Sequence, residues 1–124
     1  MLAAHDRLVE VGIGHRTDLA RALAERGCAV TATDVVPREV PPDVKFVVED
    51  LLDPDMGHYA DAEAIYALRL PPELQRPAAA LADRLGVPLY FTTLGGDPAV
   101  VEHEVRTVQS GTLYVHAAER SPEN

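Results

Sequence analysis

Tryptophan is absent from this 124-residue chain, and only four tyrosines and two phenylalanines are present. The core must therefore be built from valine, leucine and alanine. Cys28 is the lone cysteine, which excludes an intramolecular disulfide and the paired-cysteine spacings of zinc knuckles. A reduced, cytoplasmic setting fits. Lysine is nearly missing too: Lys45 is the only one, and arginine makes up the rest of the 11 basic residues. Against 20 acids the net charge is −9. So acidic a surface repels phosphate backbones, and nucleic acid is not an expected partner. Many acids with almost no lysine also resembles the proteins of salt-loving archaea. No 18 apolar residues run together, and "MLAAHDRL" lacks an apolar stretch, so neither a membrane span nor a signal peptide is expected.

Other chemistry is excluded by what fails to cluster. The histidines (His5, His15, His58, His103, His116) are scattered, and none forms a helical i, i+4 pair with another metal ligand. There is no Gly-x-Ser-x-Gly elbow, and Cys28 opens an apolar strand directly after a helix end.

What is present is an ordinary globular composition, 47% hydrophobic and 25% charged, in a chain large enough for one core and too small for two. A single domain over 1–120 and a frayed tail, "SPEN", over 121–124 are expected. Apolar runs predict strands at Leu8–Val11, Cys28–Val36, Asp43–Leu52, Ala62–Leu70 and Val87–Leu94. A helix capped by Thr17 ends at Gly27. A second, with Leu74, Ala78, Leu81, Ala82 and Leu85 on one face, stops at Gly86, and its regular part is expected only from Pro77 onward. Alternation in "VVEHEVRTV" and "TLYVHAA", on either side of Ser110-Gly111, reads as an antiparallel hairpin. Short apolar strands separated by helices indicate an α/β, Rossmann-like three-layer sandwich with five parallel strands and a C-terminal antiparallel hairpin. The links after the second and third strands are too short for ordinary helical crossovers. One sheet face should therefore be thinly covered, which points to a homodimer or a missing companion.

The stretch "LVEVGIGHRTDLARAL" carries the functional signal. Gly12 and Gly14 permit a tight turn after the first strand and a close approach of backbone to a ligand at the following helix start. The same glycines also serve a plain strand-to-helix turn. Asp34 ends the second strand about 20 residues after the first glycine, where doubly wound nucleotide sites carry a ribose-binding carboxylate. Asp50, followed by Leu51, ends the third. Glu10 interrupts the first strand, and a buried carboxylate needs a partner. Backbone amides or Arg16 would serve, as would a cationic ligand such as the ammonium of S-adenosylmethionine. Dinucleotide fingerprints have an apolar residue at Glu10 and a third glycine at Thr17, so both positions count against NAD. Arg69, Glu73, Asp53 and His58 are further polar residues near the strand edge, with a surface role favoured for each.

Glu10-Val-Gly12-Ile-Gly14, Asp34 and Asp50-Leu51 resemble the first three binding motifs of class I S-adenosylmethionine-dependent methyltransferases. More closely, "VEVGIGHRTDLARAL", "VTATDV", "AIYALRLPPELQ" and "VPLYFTTLGGD" are similar to an archaeal group, uncharacterised protein family 0146, over nearly the whole chain. Members of that group carry more chain before the first strand than "MLAAHDRL" provides. The methyltransferase resemblance implies Gly12 and Gly14 beneath the methionine part of the ligand and Glu10 near its amino group. It implies Asp34 on the ribose hydroxyls, and Asp50 on the adenine amino group with Leu51 packed beside it. The nitrogen-gripping Asn or Asp of amino-group methyltransferases is absent: Leu70 precedes Pro71-Pro72, and Glu73 follows. A non-catalytic interaction or regulatory protein that keeps the fold is the alternative from another class.

Overall fold

A computed structural model of the chain describes residues 2–108 and 111–118. The sheet is assembled from β1 (Arg7–Glu10), β2 (Ala29–Asp34), β3 (Lys45–Val48), β4 (Ala64–Ala67), β5 (Leu89–Phe91), β6 (Glu104–Val108) and β7 (Gly111–His116). Two helices accompany it, α1 (Asp18–Glu25) and α2 (Pro72–Leu85), with short 3-10 turns at Leu2–Ala4 and Met56–Tyr59. The strand order is β3-β2-β1-β4-β5-β7-β6. β1 to β5 are mutually parallel, and β7 runs against both β5 and β6. The protein has a Rossmann-like α/β fold with five parallel strands and a C-terminal antiparallel hairpin.

Alternation along the strands sorts the core into two layers. Val9, Ile65, Ala67, Leu89 and Phe91 face α2 and the 3-10 turn that carries Tyr59. Leu8, Val30, Ala32, Ala64, Tyr66 and Tyr90 face α1, where Ala20 and Leu23 meet them. With one α-helix per face, cover is sparse. On the α1 side a groove of about 400 Å³ stays open between α1, β4, β5 and β7, lined by Leu19, Leu23, Leu68, Tyr90 and Leu113 among others.

Several local expectations need correction. α2 begins at Pro72 and runs through Pro77. Proline is well suited to the first helical position, and the bond that Pro77 cannot donate would have reached the carbonyl of Glu73, an exposed residue of the first turn open to solvent. Thr17 occupies the N-cap position of α1, yet its side chain makes no capping hydrogen bond. The strands are shorter than the apolar runs, because residues such as Val35 and Leu52 fall in exposed connections. All of β6 is exposed, so its alternation does not bury a face: it is the edge strand and lies outside the helical cover. Ser110 of the hairpin turn and the tail residues 121–124 lie outside the described residues.

Candidate functional site

Sheet order reverses between β1 and β4: β2 and β3 lie on one side of β1, and β4 opens the other. Open α/β sheets bind ligands at such a reversal, beyond the carboxyl ends of the strands. The loop leaving β1 there is held by Val11 N–H donating to the Tyr66 carbonyl (2.9 Å) and Ile13 N–H donating to the Thr33 carbonyl (2.9 Å). Gly12 and Gly14 both adopt left-handed backbone, with φ of 67° and 57°. A Cβ placed on either would meet nothing within 4 Å, so the backbone conformation demands glycine while the space beside it stays open.

Beside Gly12 the space is a cavity of about 180 Å³ bounded by Gly12, Asp34, Leu51, Glu49, Tyr59 and Leu74, among others. It brings together three of the residues expected from sequence: Gly12, Asp34 and Leu51. Gly14 buttresses it, donating its N–H to Asp34 Oδ2 at 2.9 Å. Val36 N–H donates to Asp34 Oδ1 (3.3 Å), and Arg38 Nε lies 3.3 Å from Oδ2. Burial works against the charged carboxylate, but these two amides and the guanidinium outweigh it, and Asp34 stays below the usual aspartate range. A carboxylate has about four acceptor positions, so Oδ1 keeps capacity for a hydroxyl.

Asp50 does not line the cavity. It is exposed, and its Oδ1 accepts the Leu52 N–H (2.9 Å) in a local turn. The carboxylate that does face the cavity is its neighbour Glu49, which sequence reasoning missed. Glu49 accepts the Asp55 N–H (2.7 Å) through one oxygen and contacts His58 Nδ1 through the other. Its signal was the same as that of Glu10, an acid set within an apolar run. Tyr59 was missed as well. Its buried hydroxyl has no hydrogen-bond partner among the described residues, and burial together with the Glu49 charge raises its pKa, so it remains a neutral phenol.

Glu10 is sealed in, at 1% exposure. It lies beside Tyr66 on β4 and Ala32 on β2. Neither of its oxygens finds a hydrogen-bond partner among the described residues, and the pairing with Arg16 considered from sequence is not formed. Burial pushes Glu10 up to about 7, partly opposed by the nearby Tyr66 hydroxyl. Both carboxylates are thus enclosed, Glu10 by the sheet and Asp34 by Gly14 and Arg38. Among the described residues no three histidine, cysteine or acidic side chains gather as a metal site, and no helix is long and apolar enough to cross a membrane.

A family model, "Uncharacterised protein family (UPF0146)", matches residues 1–120. The chain belongs to UPF0146. A UPF0146 protein of Halobacterium salinarum is 58% identical over 116 residues, covering 93% of this chain and 90% of its own length. Among solved structures, an RNA methyltransferase from Salinibacter ruber in complex with S-adenosyl-L-homocysteine aligns with a TM-score of 0.59 and 19% identity. The alignment covers 96% of this chain and 85% of that one. An NAD-dependent NDP-hexosamine 5,6-dehydratase, TunA, aligns with a TM-score of 0.55 and 25% identity, over 68% of this chain and 35% of the other. The UPF0146 sheet thus matches a methyltransferase nearly end to end and a nucleotide-dependent dehydratase over about two thirds of its length.

Proposed function

We propose that this UPF0146 protein binds an adenosine-type nucleoside, S-adenosylmethionine foremost, at the reversal between β1 and β4. The observation that carries the reading is the one cavity that Gly12, Asp34 and Leu51 share. The buried Glu10 carboxylate stands at the end of β1, the strand that leads to Gly12, in the layer on the other side of the sheet with Tyr66 and Ala32. A nucleoside fits these groups. Asp34 Oδ1 would accept from ribose hydroxyls, Leu51 and Leu74 would pack on an apolar ring, and the unpartnered Tyr59 hydroxyl would bond a ring or ribose atom. Gly12 leaves room for a ligand where a side chain would stand. Glu10 matches an ammonium group, which would restore the partner that its burial removes. When bound, S-adenosylmethionine supplies an electrophilic methyl group, and the chain would contribute orientation and exclusion of water.

The cavity is small, about 180 Å³ against the roughly 300 Å³ and upward of most ligand sites. Binding therefore includes a movement of the Gly12–Arg16 loop or of the segment carrying Tyr59 to admit the ligand and expose Glu10. The same tightness favours the second reading, a protein that keeps the fold for interaction without catalysis. An NAD-type site is supported less, by Glu10, by Thr17, and by the partial alignment with the dehydratase.

Calorimetric titration of S-adenosylmethionine, S-adenosylhomocysteine and NAD, with Glu10→Gln alongside, tests the proposal. Micromolar binding of the first two, weakened in the variant for the methionine-bearing ligands, supports it. Absence of binding by all three ends the nucleoside reading and favours the interaction protein.

A further inference from the structure

On the far side of the sheet reversal, the chain leaving β4 takes an unusual turn at Arg69. Its φ of 55° makes it the only non-glycine residue in left-handed backbone among the described residues. A side chain gains nothing from that conformation, which crowds Cβ against the following carbonyl, and glycine would hold the turn without strain. The turn is fixed by β5. Arg69 N–H donates to Thr92 Oγ1 (2.8 Å), Leu70 N–H to the Thr92 carbonyl (2.8 Å), and Thr92 N–H to the Ala67 carbonyl (3.1 Å). An arginine is thereby held at a position that backbone geometry alone would give to glycine.

Arg69 is exposed and lines a cavity of about 390 Å³ together with Thr92, Thr93, Gly95, Thr112 and Tyr114. The volume is in the range of small-molecule sites. The wall contains one cation, three threonine hydroxyls, a phenol and no acid. In a chain of net charge −9, the Arg69 guanidinium makes no ion pair among the described residues. Because Thr92 Oγ1 already accepts a backbone N–H, its own proton is left to donate. β7 runs against β5, so Thr112, near the start of β7, lies level with the end of β5 and completes the wall at the same sheet edge. An uncompensated guanidinium among hydroxyl donors is complementary to a planar or tetrahedral oxyanion, which it grips through two parallel N–H groups.

We propose that this second cavity binds a small anionic molecule through a carboxylate or phosphate group clasped by Arg69. None of its lining residues borders the Gly12–Asp34 cavity, so the proposal stands whether or not a nucleoside binds there. Placed across the reversal from that cavity, it would hold a second, acidic reactant or effector beside the first.

The test is an NMR titration of the full chain with inorganic phosphate and, separately, succinate, at constant ionic strength, repeated on Arg69→Gly and Arg69→Gln. Saturable shifts are expected at Arg69, Thr92, Thr93, Gly95 and Thr112, with binding at least tenfold weaker in both variants. Arg69→Gly should melt at or above the wild-type temperature, since glycine relieves the turn, which separates loss of binding from loss of fold. A response to phosphate alone identifies a phosphate ligand, and one to succinate alone a carboxylate. No saturable shift from either anion, or unchanged affinity in the two variants, overturns the proposal.

Discussion

Glu10 makes the sharpest demand of any single residue. The unfolded chain releases its proton near 4.5 and the folded chain near 7, so between those values the folded state binds the proton more tightly. Its contribution to stability is complete below about pH 4.5 and is lost as pH rises through 7, a difference on the order of 3 kcal/mol. Glu10→Gln cannot ionise. Urea denaturation should find it within about 1 kcal/mol of wild type at pH 4 and clearly more stable at pH 8. An equal difference at both pH values would contradict the burial account. The same proton reports on ligand charge. An ammonium beside Glu10 lowers its pKa, so titrations at pH 6 in buffers of different ionisation enthalpy should reveal proton release on binding that fades by pH 9. Gly12 carries a different prediction. Gly12→Ala should cost about 1–2 kcal/mol from the left-handed backbone. It should weaken nucleoside binding further, because the new methyl enters the cavity.

Among the elements, α2 has work beyond covering a face. Its buried Gln75 donates from Nε2 to the Pro98 carbonyl (2.8 Å) and accepts the Val100 N–H at Oε1 (2.6 Å), pinning the segment between β5 and β6. Gln75→Leu leaves both backbone groups without that partner and should cost about 1–3 kcal/mol in thermal or urea denaturation. Hydrogen exchange should accelerate at Val100 ahead of the β1–β4 amides. How legible the molecule was in its sequence divides along the same line. β1 and the turns at Gly12, Gly27 and Gly86 could be read because they rest on local rules, an apolar run or a φ that suits glycine. The partners of Gln75 and Glu49 could not. Each acts on backbone that returns from elsewhere, Gln75 on a loop 23 to 25 residues downstream and Glu49 on the turn holding Asp55 and His58. Asp50 was expected at the end of a strand drawn to Leu52, whereas β3 stops at Val48, and neighbouring residues in such a chain face opposite sides, so Glu49 is buried and Asp50 exposed. Pro77 misled for the opposite reason, since the rule against proline in helices weakens where the orphaned carbonyl can reach water.

At the scale of the whole molecule, several buried or partly buried ionisable groups shape the pH profile. His116 adds to the trend of Glu10. Burial pulls its pKa down, but the Glu102 carbonyl and the Asp83 carboxylate, 2.9 Å from Nε2, carry it above the usual histidine value. Its stabilising share is full below about pH 6.5 and is lost as pH climbs through the raised folded value. Asp34 acts in the other direction: its lowered pKa contributes above the ordinary aspartate value and is lost as pH falls through the depressed one. Maximum stability should therefore lie on the acid side of neutrality, with the protein more stable at pH 5.5 than at pH 8. A series of urea midpoints across pH checks this, and a maximum at pH 8 or above would refute it. Ligand binding should also register globally. A nucleoside at a hundredfold excess over its dissociation constant adds about 2.7 kcal/mol, which for a domain of this size is a rise in melting temperature of roughly 10 °C.

The lone thiol offers a further use. Cys28 is buried where α1 hands the chain to β2, packed in the same layer as Ala20, Leu23 and Val30. With no other sulfhydryl in the chain, the rate at which a coloured disulfide reagent consumes it is a stopwatch for transient exposure of that layer. The layer adjoins the Gly14–Asp34 contact, so an occupant that tightens the loop should slow the stopwatch without touching the sulfur. The protein thus carries its own reporter, readable in a cuvette before any ligand has been identified.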